Sequence, residues 1–126
     1  MSLSNYTETK VMDAIFNNVS PAALQLANRY IKLHVGDPGE DGTANAATET
    51  TRKALTGAAS SNGVFTSTND LAWTDVAGTE TYTHVSLWDA STGGNCLWTG
   101  ALTASKAVNQ HDNFTIPAGS AVATLD

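Results

Sequence analysis

The sequence is short of charge, of cysteine and of long apolar runs, and each shortage removes a class of protein. Charged residues fill 14% of the 126 positions, against roughly 25% in an average globular chain. A solvated disordered tail or a long coiled coil needs more Lys, Glu and Arg than that. Six basic residues face twelve acidic ones, and only Arg52 and Lys53 are adjacent. Phosphate neutralisation requires clustered cations, so no nucleic-acid partner is expected. The net charge of −6 argues in the same way against an anionic membrane surface. No apolar run approaches the roughly 18 residues of a membrane span. The polar stretch Met1 to Lys10 has no apolar signal-peptide core. The single cysteine, Cys96, cannot close an intramolecular disulfide, which fits folding in a reducing cytoplasm. With no base supplied by a neighbouring motif, it reads as a small buried filler rather than a nucleophile.

What is abundant is Ala and Thr, with 19 and 18 copies among the 126 residues. Thr is β-branched and favoured on a pleated surface. The pattern begins with a helix. Asn5 and Glu8 have the spacing of a capping box, and Leu3, Val11, Met12, Ile15 and Phe16 recur near a helical period. Ser20-Pro21 ends this segment, and Ala22 to Asn28 reads as a short turn or linker. Tyr30 to Val35 then alternates: Ile31, Leu33 and Val35 on one side, Tyr30, Lys32 and His34 on the other, a strand with one wet face. Gly36-Asp37-Pro38-Gly39 stops it.

Short strands follow at regular spacing: 52–56, 64–67, 71–73, 81–88, 96–102, 114–116 and 121–125. Turn residues separate them, as in a sandwich or barrel. The expectation is a mainly β fold: one antiparallel β-sandwich, jelly-roll-like, with a short N-terminal α-helix. It forms a single domain, 1–126. Residues 1–20 are the helix or arm, and 30–126 the sandwich with an exposed loop at 36–51.

The chemistry-bearing residues are sparse. Asp37, Glu40 and Asp41 lie close together, but their spacing does not match a calcium loop, so a polar turn is the stronger reading. His34, His84 and His111 have no zinc spacing. No G-x-S-x-G elbow or paired-carboxylate context marks a catalytic set, and no cofactor motif is present. Trp73, Trp88 and Trp98 could stack on sugars, although core or interface packing is the commoner use of Trp. Trp88 shares a strand face with His84 and Ser86, which makes these three the candidate partner surface.

Several stretches carry a resemblance. They are Ala58-Ala59-Ser60-Ser61-Asn62-Gly63, Ser67-Thr68-Asn69-Asp70-Leu71, residues 83–90 (THVSLWDA), 93–102 (GGNCLWTGAL) and Ile116-Pro117-Ala118-Gly119-Ser120. Through them, and through the helix, strand and Asp-Pro-Gly-Glu-Asp-Gly loop that open the chain, the protein resembles a family of small tailed-bacteriophage virion proteins. These are labelled tail-fibre or minor tail proteins, and sometimes head decoration proteins. The resemblance implies a non-enzymatic structural protein on the exterior of a virion, made in the bacterial host cytoplasm. It implies contacts with major capsid or tail proteins and a homo-oligomer, acting by multivalent packing. The competing expectation is a carbohydrate-binding β-sandwich that contacts the host surface.

Overall fold

The computed structural model of the chain describes residues 2–125. Its elements are β1 (Ser2–Leu3), α1 (Asn5–Phe16), a single 3-10 turn (Pro21–Leu24), β2 (Arg29–His34), β3 (Lys53–Leu55), β4 (Val64–Thr66), β5 (Leu71–Trp73), β6 (Glu80–Trp88), β7 (Cys96–Val108), β8 (Phe114–Ile116) and β9 (Val122–Thr124).

The alternation in β2 organises the rest. β2 pairs antiparallel with β6, setting Ile31 opposite Leu87, Leu33 opposite Val85 and His34 opposite His84. Because strand side chains alternate between faces, Ile31, Leu33, Val85 and Leu87 line one side of the sheet. Adding β7, β1 and β3 completes a five-stranded sheet in the order β1-β7-β6-β2-β3. Two antiparallel ribbons, β4-β9 and β5-β8, form the second layer. They bring Leu71, Trp73, Phe65, Phe114 and Ile116 into the core cluster built on Ile31, Leu33, Tyr82 and Val85. The Phe114 ring lies 5.7 Å from Trp73 and 5.2 Å from Tyr82, within the range where tilted aromatic pairs attract. The fold is therefore mainly β and sandwich-like, as expected. Its second layer is split into two ribbons rather than closed into one sheet.

β7 runs past the expected end at Leu102. The register jumps between the pairs Tyr82–Lys106 and His84–Ala101, leaving extra residues on β7, and pairing resumes out to Glu80 and Val108. A bulge of this kind twists a strand and re-aims its side chains. Here it lets Tyr82 and Val85, three positions apart, both enter the core.

The helix also differs from expectation. Leu3 lies in strand β1 opposite Trp98, not on the helix. The N-cap is Ser4, one residue before Asn5: its Oγ accepts from the Thr7 N–H at 3.2 Å and donates to the Cys96 carbonyl at 2.5 Å. Ser4 wins because the β1-β7 pairing seats its hydroxyl on the sheet. Of the helix residues only Thr7 is buried. Of the helix's apolar face, Val11 is half-buried, while Met12 is 54% exposed, Ile15 65% and Phe16 71%, followed by Val19 at 44%.

Leu33 has no exposed surface and packs between the two layers. Replacing it with alanine is expected to cost about 3 kcal/mol through lost transfer energy and the cavity left behind. Urea unfolding would show this as a lower midpoint with an unchanged slope.

Candidate functional site

The face of the sheet turned away from the core carries the polar residues singled out from the sequence. The β2 alternation places His34 there, and the β6 alternation places Ser86 and Trp88 beside it. This face was expected to be wet. Instead the segment after β2 folds back across it. Val35 N–H bonds to the Asn45 carbonyl at 2.9 Å, Ala47 N–H bonds to the Leu33 carbonyl at 3.2 Å, and His34 bridges to Ala46. Most of residues 36–51 are exposed, but Pro38, Gly42, Ala47 and Glu49 are buried and anchor the segment. Gly42, at φ 72°, lies so close to Cys96 and Trp88 that a Cβ there would collide with both side chains. The Gly-containing turn thus permits a close approach.

Beneath this cover runs a buried hydrogen-bonded string. His34 Nδ1 is 2.9 Å from the Ala44 carbonyl oxygen. A carbonyl only accepts, so Nδ1 carries the proton. In the neutral ring Nε2 then accepts from the Ser86 hydroxyl at 2.7 Å, and Ser86 Oγ accepts the Trp88 indole N–H at 2.7 Å. His34 is 0% exposed, Ser86 1% and Trp88 6%. Burial holds the imidazole below its ordinary pKa, an effect partly opposed by the Ala44 carbonyl. Arg52 covers the indole, its guanidinium carbon 4.1 Å from the ring centre, and donates to the Ala90 and Gly93 carbonyls at 2.7 Å each. One cation therefore stacks on the sheet and ties down the β6-β7 turn.

This placement changes how the candidate residues read. Trp88 and Ser86 are buried within the subunit, and only His84 keeps surface, with its Nδ1 2.8 Å from the Thr83 hydroxyl. The three do not form one open face. The His34–Ser86 contact is a histidine–serine pair, but the serine oxygen already accepts an indole N–H and neither residue is open to a substrate. His111 meets the carboxylate of Asp75 on the open surface. Trp73 is buried against Phe114, and its N–H donates to the Thr51 carbonyl at 2.7 Å. Neither Trp73 nor Trp88 offers a free ring face to a sugar. Cys96 is buried and burial pushes its thiol up to about 11, which keeps it protonated as the filler it was expected to be. Asp37 accepts from Gly39 N–H, and Asp41 from the N–H and hydroxyl of Thr43. Both close their own turns. Among the described residues no three His, Cys, Asp or Glu side chains gather as a metal site.

Two carboxylates do more than the sequence disclosed. Glu49 accepts from the N–H groups of Thr51 and Ala77, and Glu80 from those of Thr48 and Glu49. Together they fasten the loop before β3 to the loop before β6. Nothing in the local pattern marks Glu49, because the contact that buries it comes from a segment 28 positions away.

The His34–Ser86–Trp88 string and the Asp37 and Asp41 turns are thus closed on the protein's own backbone and rings. The family model described as Podophage GP4 fiber I protein gp80 matches residues 2–124. The chain belongs to this family: it is a phage fibre structural protein, and its location is the virion. No curated protein matches it. No helix among the described residues is long and apolar enough to cross a membrane.

The string gives two expected outcomes. Ser86→Ala strands both the indole N–H and His34 Nε2, which should cost about 1–3 kcal/mol in urea unfolding. The second outcome concerns pH. The folded protein resists protonating His34, whereas the unfolded chain takes that proton below its ordinary value of about 6.5. Stability should therefore be full above that value and fall as the pH drops through it. Comparing unfolding at pH 7.5 and 5.5 checks this: the loss should shrink in His34→Gln, and an undiminished loss would remove His34 as its source.

Proposed function

We propose that this protein is a non-enzymatic fibre subunit on the exterior of the particle. It acts by multivalent packing against tail proteins and copies of itself rather than as a cement on the head shell. The observation that carries the reading is the apolar end of α1, where Met12, Ile15, Phe16 and Val19 stand in solvent. Contiguous exposed apolar groups on a small domain mark a protein contact. The family description, a fibre protein, favours the tail over the head. The low charge supports the same reading, since an interface with few charges avoids the cost of desolvating them. Repetition supplies strength: a modest contact becomes tenacious when neighbouring copies are held together.

Trp73 and Trp88 are buried, so the sugar-platform alternative is left with Trp98 alone, which is half-buried in a groove beside Leu87. Gold-labelled antibody against the protein, applied to intact particles and viewed by electron microscopy, tests the proposal. Label in several copies on the tail is expected. Label over the head shell would make the protein a decoration protein, and an unlabelled particle would refute an exterior role.

A further inference from the structure

Two unpartnered features of this chain complement each other. The first is the stripe on α1. Glu8, Met12, Ile15 and Phe16 follow the i, i+4, i+7, i+8 spacing of one helix face. A helix of twelve residues is marginal alone in water, yet this one has a single buried residue. Its own subunit holds it through β1, β7 and the Pro21–Leu24 turn.

The second is a groove on the core side of the sheet, where the β4-β9 ribbon leaves its end uncovered. Leu55, Phe65, Leu87, Trp98 and Ala123 form apolar walls, and Arg29 stands among them. The groove has a volume of about 330 Å³, within the range of sites that enclose a ligand group. Arg29 Nε and Trp98 Nε1 are buried with no hydrogen-bond acceptor among the described residues.

The arm does not fill its own groove: no residue of α1 lines it, and Met12, Ile15 and Phe16 stand in solvent. Ser4 and Tyr6 sit with Trp88 and Cys96 on the opposite face of the sheet, whereas the groove opens on the core side. Resting on the fibre-subunit reading, we propose that α1 of one copy seats its Met12–Ile15–Phe16 face in this groove of a second copy. The acidic Glu8 at the head of the stripe pairs with Arg29. Charge favours this seating: the chain carries −6, which opposes indiscriminate association, while this contact sets an acid against the groove's one cation. Stripe and groove are different surfaces, so the contact is head-to-tail. Such contacts close into rings or continue as filaments.

Cross-linking of the full chain tests this. Phe16→Cys and Ala58→Cys place one thiol on the arm and one at the groove mouth, where Ala58 is exposed. The native Cys96 is buried. Under mild oxidation a disulfide-linked pair is expected in the mixture of the two variants and not in either alone. Glu8→Arg in the arm partner should reduce that product, and Arg29→Glu in the groove partner should restore it. Near-UV circular dichroism confirms that each variant is folded. A mixture that cross-links no better than the separate variants would overturn the inference. So would a Phe16→Cys variant that links to itself, which would mean helix against helix. Particle attachment is scored separately. A Phe16→Asp protein that still joins the virion, with no cross-link in the mixture, removes the arm contact and leaves the fibre reading standing. Failure of the wild type to join the virion removes the fibre reading.

Discussion

The register between β2 and β6 is the constraint on which the rest of the structure depends. Setting Leu33 opposite Val85 and His34 opposite His84 sends the aliphatic side chains of the pair to one face and Lys32, His34, His84 and Ser86 to the other. A slip of one residue would exchange the faces. It would put His34, Ser86 and Lys32 into the core and leave Ile31, Leu33 and Val85 in water. The two ribbons could not then dock, because Trp73 and Phe114 pack on this aliphatic surface.

The opposite face carries a second demand. A histidine, a serine and an indole N–H under cover must be bonded to one another or to backbone, since each unpaired group is costly in a low-dielectric setting. The loop after β2 meets this by presenting the Ala44 carbonyl and by letting Gly42 pass close over Cys96 and Trp88. Arg52 then closes the indole from another side. These interactions are local to the subunit. They satisfy the polar groups that the loop buries on the outer face.

The N-terminal arm is built on the opposite principle. Ser4 anchors it firmly through the Cys96 carbonyl, and beyond Thr7 the helix keeps its apolar side chains in solvent. On the outer face the buried His34, Ser86 and Trp88 are bonded within the subunit, whereas the arm's apolar end stands in solvent. The core closes without the arm's apolar surface, which is surplus to it. That division is compatible with the phage fibre family to which the chain belongs.

The sequence by itself determined the elements and their faces. Alternation marked β2 and the outer half of β6, turn residues bounded most of the short strands, and the helical spacing of Met12, Ile15 and Phe16 was plain. The chemistry of the lone Cys96 was legible too, because no neighbouring base accompanies it. Only the tertiary structure decided what each face meets. The helix stripe could have been a core face or an arm, since periodicity reports which residues share a side and not whether anything covers it. The face of His34, Ser86 and Trp88 looked open for the same reason, and a loop 36–51 without large apolar residues gave no sign that Pro38, Gly42 and Glu49 would be buried. The β7 extension and the entry of Tyr82 into the core depend on a bulge between strands. Such long-range pairings join residues far apart in the chain, so local patterns carry no trace of them.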